Sequence, residues 1–141
     1  MLERYPGEVK LVFKNFPLKN HNFARPAAVA ALAASKQGKF WEFHDLLFEN
    51  YNRLNEQKIN EIAARLKLNE AEFKENQKNP RIVAQVKKDY EEGIHLGIRG
   101  VPTVFINGKK IRDRSMKSLE TAINLELEKA KAANVSMEAA Q

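Results

Sequence analysis

The sequence predicts an α/β protein in which a small β-sheet is interrupted by a long helical insertion. Two short runs rich in β-branched and aromatic residues, 9–13 and 104–106, have the composition of strands. Between them, residues 25–96 carry apolar residues at helical spacing and several helix-start signals. A chain of 141 residues is long enough to bury a core as a single folding unit.

The first predicted element is a strand. Residues Val9 to Phe13 are apolar at four of five positions, and prolines at positions 6 and 17 lie on either side of the run. A near-continuous apolar run of this length is typical of a strand that is covered on both faces of a sheet. We therefore predict a buried strand here.

Two helices are predicted next. Pro26 suits the first position of an alanine-rich helix that stops near Gly38. The second helix runs from Phe40 to about Tyr51 and has a wide apolar face. We interpret its aromatic stripe as core, with a substrate groove as the alternative. The stripe consists of Phe40, Trp41, Phe43, Phe48 and Tyr51.

Three more helices are predicted from asparagine N-caps at Asn55, Asn69 and Asn79. Asn69 and Glu72 have the spacing of a capping box, and the residue after Asn79 is a proline. Gly97 is expected to end the fifth helix. The residues expected on the core side of that helix are Ile82, Val83, Val86, Tyr90 and Ile94.

A hairpin and a last helix complete the prediction. Val104 to Ile106 reads as a strand, and Asn107-Gly108 is the dipeptide that a type I′ turn prefers. Ser115 is expected to cap the last helix, and residues 134–141 are expected to form a frayed tail. The core-facing residues of that helix are predicted to be Leu119, Ala122, Ile123, Leu127 and Ala130.

Composition excludes several classes of function for these residues. With no cysteine, the chain contains no disulfide, thiolate metal site or thiol nucleophile. The net charge is +6, and the densest basic group is Lys109, Lys110, Arg112 and Arg114. No nucleic-acid recognition motif accompanies that group, so we interpret it as solvated surface rather than a nucleic-acid site.

No metal, cofactor or membrane signal stands out. His21, His44 and His95 are scattered without zinc-site spacing, so we expect no metal ligand and no cofactor, and His44 is expected to be hydrogen-bonded at the edge of the helical core. The longest apolar stretch is far short of the ~20 residues that span a bilayer. No leader-like segment opens the chain, so we expect no export signal within it. Lys14 is interpreted as a surface lysine, with a shifted pKa near a functional site as the alternative.

Several segments follow one another along the chain in a characteristic order. They are Lys14-Asn15-Phe16-Pro17-Leu18 with His21, Ala27 to Ala31, Gly38 to Phe48, Gly97 to Thr103, and Ile106-Asn107-Gly108. Together they closely resemble the DsbA-like family of thiol–disulfide oxidoreductases, from about residue 2 to about residue 130, and the strength of the resemblance comes from having these segments in register.

The resemblance implies a thioredoxin-like sheet of the DsbA type that lacks its first strand-helix unit. That unit carries the family's Cys-x-x-C pair. We expect a partial thioredoxin-like domain at residues 1–24 and 97–133, and an inserted helical subdomain at 25–96. Deleting the central strand leaves two apolar edges with unpaired backbone groups, so we predict a homo-oligomer or a missing N-terminal segment over a monomer.

The resemblance also implies a substrate site at Gly100, Val101, Pro102 and Thr103, the counterpart of the family's cis-proline loop. There the backbone of Val101 pairs with an extended peptide or unfolded protein substrate. We expect no catalytic residue in this chain. The first interpretation is a portion of an oxidoreductase, periplasmic or otherwise extracytoplasmic as the family is. The alternative is a non-catalytic peptide- or protein-binding module that self-associates.

Overall fold

The structure is a computed structural model and describes residues 2–138. These residues divide into two compact units, and each is described by itself. The helical unit is Lys14–Arg99, and the hairpin unit combines residues 2–13 with residues 100–138. The assignment of 1–24 with 97–133, and of 25–96, to separate domains stays a prediction.

The helical unit contains the helices expected from the sequence, joined by short turns. The first helix begins at Ala24, two residues before the predicted start at Pro26. A proline fits there because the first four N–H groups of a helix have no partner within it. The helices are α1 (Ala24–Ser35), α2 (Phe40–Glu49), α3 (Glu56–Arg65), α4 (Glu70–Lys78) and α5 (Pro80–His95).

The three predicted asparagine caps are confirmed. The side-chain oxygen of Asn55 accepts a hydrogen bond from the N–H of Lys58 at 2.8 Å. Asn69 accepts from the N–H of Glu72 at 3.0 Å, and Asn79 accepts from the N–H at position 81 at 2.9 Å. Each cap satisfies one of the N–H groups that a helix start leaves unpaired. The start of each helix is therefore set by residues within a few positions of it.

The core of the helical unit forms around α1. Its Ala30, Ala33 and Ala34 have no exposed surface, and α2, α3, α4 and α5 all contact this helix. Small side chains let the surrounding helices approach closely. Phe43 of α2 and Phe73 of α4 fill the space beside α1, with ring centroids 5.6 Å apart.

Two sequence interpretations of the helical unit are wrong. Most of the predicted aromatic stripe is exposed rather than core. Phe43 is buried and Phe40 packs against the core, whereas Trp41, Phe48 and Tyr51, the last of which lies beyond the end of α2, are exposed. Phe43 lies two residues from Trp41, roughly 200° around the helix, so the two side chains lie on nearly opposite faces of α2 and cannot both pack against α1. Ile94 of α5 is also exposed, although the neighbouring Gly93 is buried.

The end of α5 is well defined. Gly97 has a positive φ of 69°, its N–H bonds to the carbonyl of Ile94, and the N–H of Ile98 bonds to the carbonyl of Gly93 at 2.9 Å. This pair of bonds is a Schellman motif, which favours glycine because other residues adopt positive φ only at a cost. The predicted stop at Gly97 is confirmed.

The hairpin unit contains a two-stranded sheet of β1 (Val104–Ile106) and β2 (Lys109–Ile111), and helix α6 (Met116–Glu138). The strands are antiparallel, with Val104 opposite Ile111 and Ile106 opposite Lys109. Asn107 and Gly108 have φ values of 46° and 78°, as a type I′ turn requires at both central positions. The hairpin predicted from the Asn-Gly dipeptide is confirmed.

The predicted buried strand at Val9 to Phe13 is wrong for this structure. Within residues 2–138 no strand is formed at positions 9–13, and Leu11 and Val12 are 54% and 62% exposed. A strand is stabilised by hydrogen bonds to a neighbouring strand, so strand composition alone does not form one.

Helix α6 is longer and less buried than expected. It continues through residues 134–138, where a frayed tail was expected, and residues 139–141 lie outside the described part. Ile123 is buried and Leu119, Ala122 and Leu127 are half-buried, but Ala130 is exposed, contrary to the prediction. None of the helices within residues 2–138 carries an apolar stretch that could cross a membrane.

Candidate functional site

The predicted substrate residues form the loop that leads into β1. The peptide bond between Val101 and Pro102 is cis. The hydroxyl of Thr103 donates to the carbonyl of Gly100 at 2.8 Å, and the guanidinium of Arg114 donates to the carbonyl of Pro102. The structure therefore brings the predicted residues together in one loop. Two of its backbone carbonyls accept hydrogen bonds from side chains, one within the loop and one from Arg114.

Val101 is the open position of this loop. Its side chain is 52% exposed. Within residues 2–138, neither its N–H nor its C=O has a hydrogen-bond partner. A residue in this state can exchange both backbone hydrogen bonds with an extended chain laid beside it, as paired residues of antiparallel strands do.

The turn of the hairpin is anchored to α6 through Glu126. Its carboxylate accepts hydrogen bonds from Lys109 at 2.8 Å, from Lys129 at 2.8 Å and from the Asn107 amide at 3.3 Å. The hydrogen bond from Lys109, with those from Lys129 and Asn107, lowers the pKa of Glu126 to about 2. The carboxylate therefore stays ionised at neutral pH and fixes the turn by charge-assisted hydrogen bonds.

The turn between β2 and α6 is ordered by Asp113. Its carboxylate accepts hydrogen bonds from the N–H and hydroxyl of Ser115 at 2.9 and 3.0 Å, and from the hydroxyl of Ser118 at 2.5 Å. The Ser118 bond, followed by those from Ser115, lowers the pKa of Asp113. Ser115 also caps the helix as predicted, since its hydroxyl accepts from the N–H of Ser118 at 3.3 Å. Arg114 is held between these bonded residues.

In the helical unit, residues 14–16 are fastened to α5. The buried carboxylate of Asp89 accepts hydrogen bonds from both the backbone N–H and the side-chain amide of Asn15, each at 3.0 Å. Gln85 donates to the other oxygen of Asp89 at 2.7 Å. A buried carboxylate bonded in this way ties two distant segments of chain together, because leaving it unpaired would be costly.

Lys14 is a surface lysine, as interpreted from the sequence, and its side chain is 51% exposed. Its ammonium group donates to Glu92 at 2.9 Å and lies 3.6 Å from Asp89. The hydrogen bond to Glu92, with the negative charges of Asp89 and Glu92, raises the pKa of Lys14 against the opposing effect of desolvation. The alternative interpretation was a shifted pKa near a functional site; the pKa is shifted, upward, and nearness to a functional site stays a prediction.

His44 and His95 each bond to a neighbour within their own helix. His44 lies 3.0 Å from Asp45 and is half-buried at the edge of the helical core, as predicted. His95 bonds to the carbonyl of Glu91 at 2.7 Å, within its own helix. In the part of the chain that the structure describes, no three His, Asp or Glu side chains are arranged to hold a metal ion.

Sequence reasoning missed Arg114 and Asp89. Arg114 was interpreted as part of a solvated basic group, and nothing local in the sequence indicates its bond to Pro102, which lies twelve positions away. Asp89 carried a signal that could have been used: it lies three residues after Val86 and seven after Ile82, on the apolar face of α5. A carboxylate at a core position implies a buried partner.

The comparisons with known proteins identify the family. A sequence model described as thioredoxin matches residues 1–125. The chain is 32% identical over 132 residues to the probable disulfide bond formation protein D of Bacillus cereus, covering 87% of this chain and 60% of that protein. The same protein of Bacillus anthracis is 30% identical over 131 residues, with the same coverage of both chains.

A second group of relatives carries a different name. The chain is 35% identical over 103 residues to the Na(+)/H(+) antiporter NhaA 3 of Salinispora tropica, which covers 72% of this chain and 16% of the antiporter. The chain thus spans from about a sixth to three fifths of the curated relatives it matches. No solved structure gives a significant match.

These findings agree with the fold class that the residues predicted. The match to the thioredoxin model covers most of the sequence, and the relatives named disulfide bond formation protein D confirm the DsbA-like resemblance. The observed mixture of helices with a small sheet fits a thioredoxin-like fold that carries a helical insertion. The chain belongs to the thioredoxin family.

Proposed function

We propose that this chain is the peptide-binding part of a DsbA-like thiol–disulfide oxidoreductase, and that the loop Gly100–Thr103 binds an extended polypeptide. The observation that carries the proposal is the state of Val101, which is exposed and has both backbone groups unpaired within residues 2–138. The similarity to disulfide bond formation protein D supports the same assignment.

The chemistry of disulfide exchange needs a thiolate, and the 141 residues contain no cysteine. We therefore propose that the cysteine-bearing element of the working enzyme lies outside these residues. In that arrangement, this chain supplies binding and orientation of the substrate, while the exchange step takes place on sulfur atoms that it does not contain. An extracytoplasmic location is proposed from the family resemblance.

The binding role predicts a contrast between two substitutions at one position. Strand-like recognition uses the backbone, so Val101→Ala keeps the N–H and C=O and should retain most of the affinity for an unfolded polypeptide. Val101→Pro removes the N–H and should abolish binding. The probe is fluorescein-labelled α-lactalbumin, reduced and carbamidomethylated so that it stays unfolded, and binding is followed by fluorescence anisotropy.

Circular dichroism shows whether both variants are folded. Equal binding by folded Val101→Ala and Val101→Pro would disprove backbone recognition at this loop. The redox proposal has its own measurement, the mass of the natural protein after thiol alkylation. A mass well above 16.1 kDa with alkylated cysteines supports an oxidoreductase, and an unlabelled mass near 16.1 kDa refutes it.

The second candidate is a redox-inactive binding module that self-associates. The observation that favours it is the exposed apolar segment at residues 9–13, where Leu11 and Val12 are more than half exposed. Exposed apolar residues in a segment of strand composition can pair with another chain. Light scattering after size exclusion should then show a dimer or larger species, and Leu11→Lys with Val12→Lys should yield a monomer. A monomer before any substitution would refute this candidate.

A further inference from the structure

We propose that Arg114 is a positioning residue for the binding loop, which it holds in a shape that presents the backbone of Val101 to the peptide. The inference rests on the proposed peptide-binding function and deepens it. Its basis is the bond from the Arg114 guanidinium to the carbonyl of Pro102, together with the bonds that order the residues on either side of Arg114.

The bond fixes the one polar backbone group that Pro102 has. Proline lacks an N–H, so its carbonyl is its only backbone hydrogen-bonding group. Holding that carbonyl sets the orientation of the peptide plane between Pro102 and Thr103. On the other side, the Thr103 hydroxyl bonds to the carbonyl of Gly100 at 2.8 Å. The carbonyls of residues 100 and 102 are thus engaged inside the loop, and that of Val101 is left for a partner.

Arg114 is well suited to this task because no carboxylate competes for it. Within residues 2–138, its guanidinium forms no ion pair with an acid. The adjacent Asp113 is occupied by Ser115 and Ser118, at 2.5 to 3.0 Å. These bonds order the turn from which the side chain of Arg114 extends. A guanidinium is charged at every accessible pH, and a charged donor makes a stronger bond to a carbonyl than a neutral one.

A simple charge effect is the competing explanation, and the chain provides a matched control for it. Arg112 lies two residues earlier in the same turn, carries the same charge and is exposed, but it makes no hydrogen bond or ion pair within residues 2–138. Removing either arginine lowers the net charge of the chain equally. Only removal of Arg114 releases the carbonyl of Pro102.

The experiment compares Arg114→Ala, Arg114→Lys and Arg112→Ala in the full 141-residue chain. One readout is affinity for the carbamidomethylated α-lactalbumin probe, measured in about 0.3 M NaCl to screen nonspecific attraction. The other readout is the position of the Val101 and Thr103 amide signals in ¹⁵N–¹H NMR spectra without peptide. The second readout reports the shape of the loop whether or not a peptide binds.

We expect Arg114→Ala to weaken binding by roughly three- to tenfold, as the loss of one charge-assisted hydrogen bond implies. It should also shift or broaden the Val101 and Thr103 amide signals, while signals from the helical unit stay in place. Arg114→Lys should recover part of the affinity, since a lysine retains a charged donor. Arg112→Ala should leave both readouts unchanged.

Two kinds of failure are distinguishable. If the unaltered chain does not bind the probe, the proposed function is wrong and the role of Arg114 in binding falls with it. If the unaltered chain binds, but Arg114→Ala and Arg112→Ala have equal effects on affinity, the function stands and the positioning role is refuted. Unchanged loop signals in Arg114→Ala would refute it as well.

Discussion

Replacing Gly93 with alanine is expected to destabilise the helical unit, although alanine is the better helix former. A Cβ placed on Gly93 would lie 2.6 and 2.7 Å from the Cδ2 and Cε2 atoms of Phe16, where carbon atoms normally stay about 3.5–4.0 Å apart. The ring of Phe16 cannot move freely away from the added Cβ, because it stacks on Tyr90 with ring centroids 4.8 Å apart. The added methyl group therefore overpacks the contact between residues 14–16 and α5.

The magnitude follows from two opposing effects. Overpacking costs about 1–3 kcal/mol, and replacing a helical glycine with alanine returns about 0.5–1 kcal/mol. We expect Gly93→Ala to lower the free energy of unfolding by about 0.5–2 kcal/mol, measured by urea denaturation followed by circular dichroism. In a Phe16→Ala background the overlap is absent, so the same substitution at Gly93 should stabilise by about 0.5–1 kcal/mol.

The double-mutant cycle isolates the contact. The difference between the effects of Gly93→Ala in the two backgrounds should be about 1–3 kcal/mol, because the helix preference is common to both and cancels. If Gly93→Ala had the same effect with and without the Phe16 ring, the two residues would not be in contact. That result would refute the packing of Phe16 against α5.

Three further predictions concern stability. Asp89→Ala should lower the free energy of unfolding by about 2–4 kcal/mol, since both donors of buried Asn15 lose their acceptor, and Asp89→Asn should cost less in the same urea titration. The pKa of Glu126 is lowered from 4.5 to about 2, so its ionised carboxylate contributes fully to the stability of the folded chain above pH 4.5, and this contribution is lost as pH falls toward 2. The difference in Tm between the unaltered chain and Glu126→Gln should therefore shrink between pH 4.5 and pH 2. A constant difference in Tm would contradict the role of the Lys109 bond. Asn79→Ala should cost about 1 kcal/mol through loss of the α5 cap, and no change in the urea midpoint would rule the cap out.

Much of the helical unit could be predicted from the sequence because its signals are local. An asparagine cap bonds to an N–H two or three residues further on, so Asn55, Asn69 and Asn79 carry the helix starts within their own neighbourhoods. The Asn107-Gly108 turn is equally local, because the two residues adopt the positive φ that the turn requires.

Burial could not be predicted as well, because it depends on which side of an element finds a neighbour. The aromatic residues of α2 share an apolar composition, yet Phe43 is buried and Phe48 is 63% exposed. The apolar run at residues 9–13 has strand composition, yet no strand pairs with it in the part that the structure describes. Composition states what a segment prefers, and only a partner determines whether the preference is satisfied.

The candidate site divides in the same way. The sequence by itself determined the family resemblance, the loop at residues 100–103 and the absence of thiol chemistry from this chain. Only the tertiary structure decided that Arg114 bonds to Pro102, that Asp89 holds Asn15 and that the backbone of Val101 remains open. Those contacts join residues far apart along the chain, and the physical reason they escape sequence patterns is that periodicity and capping act over only a few residues.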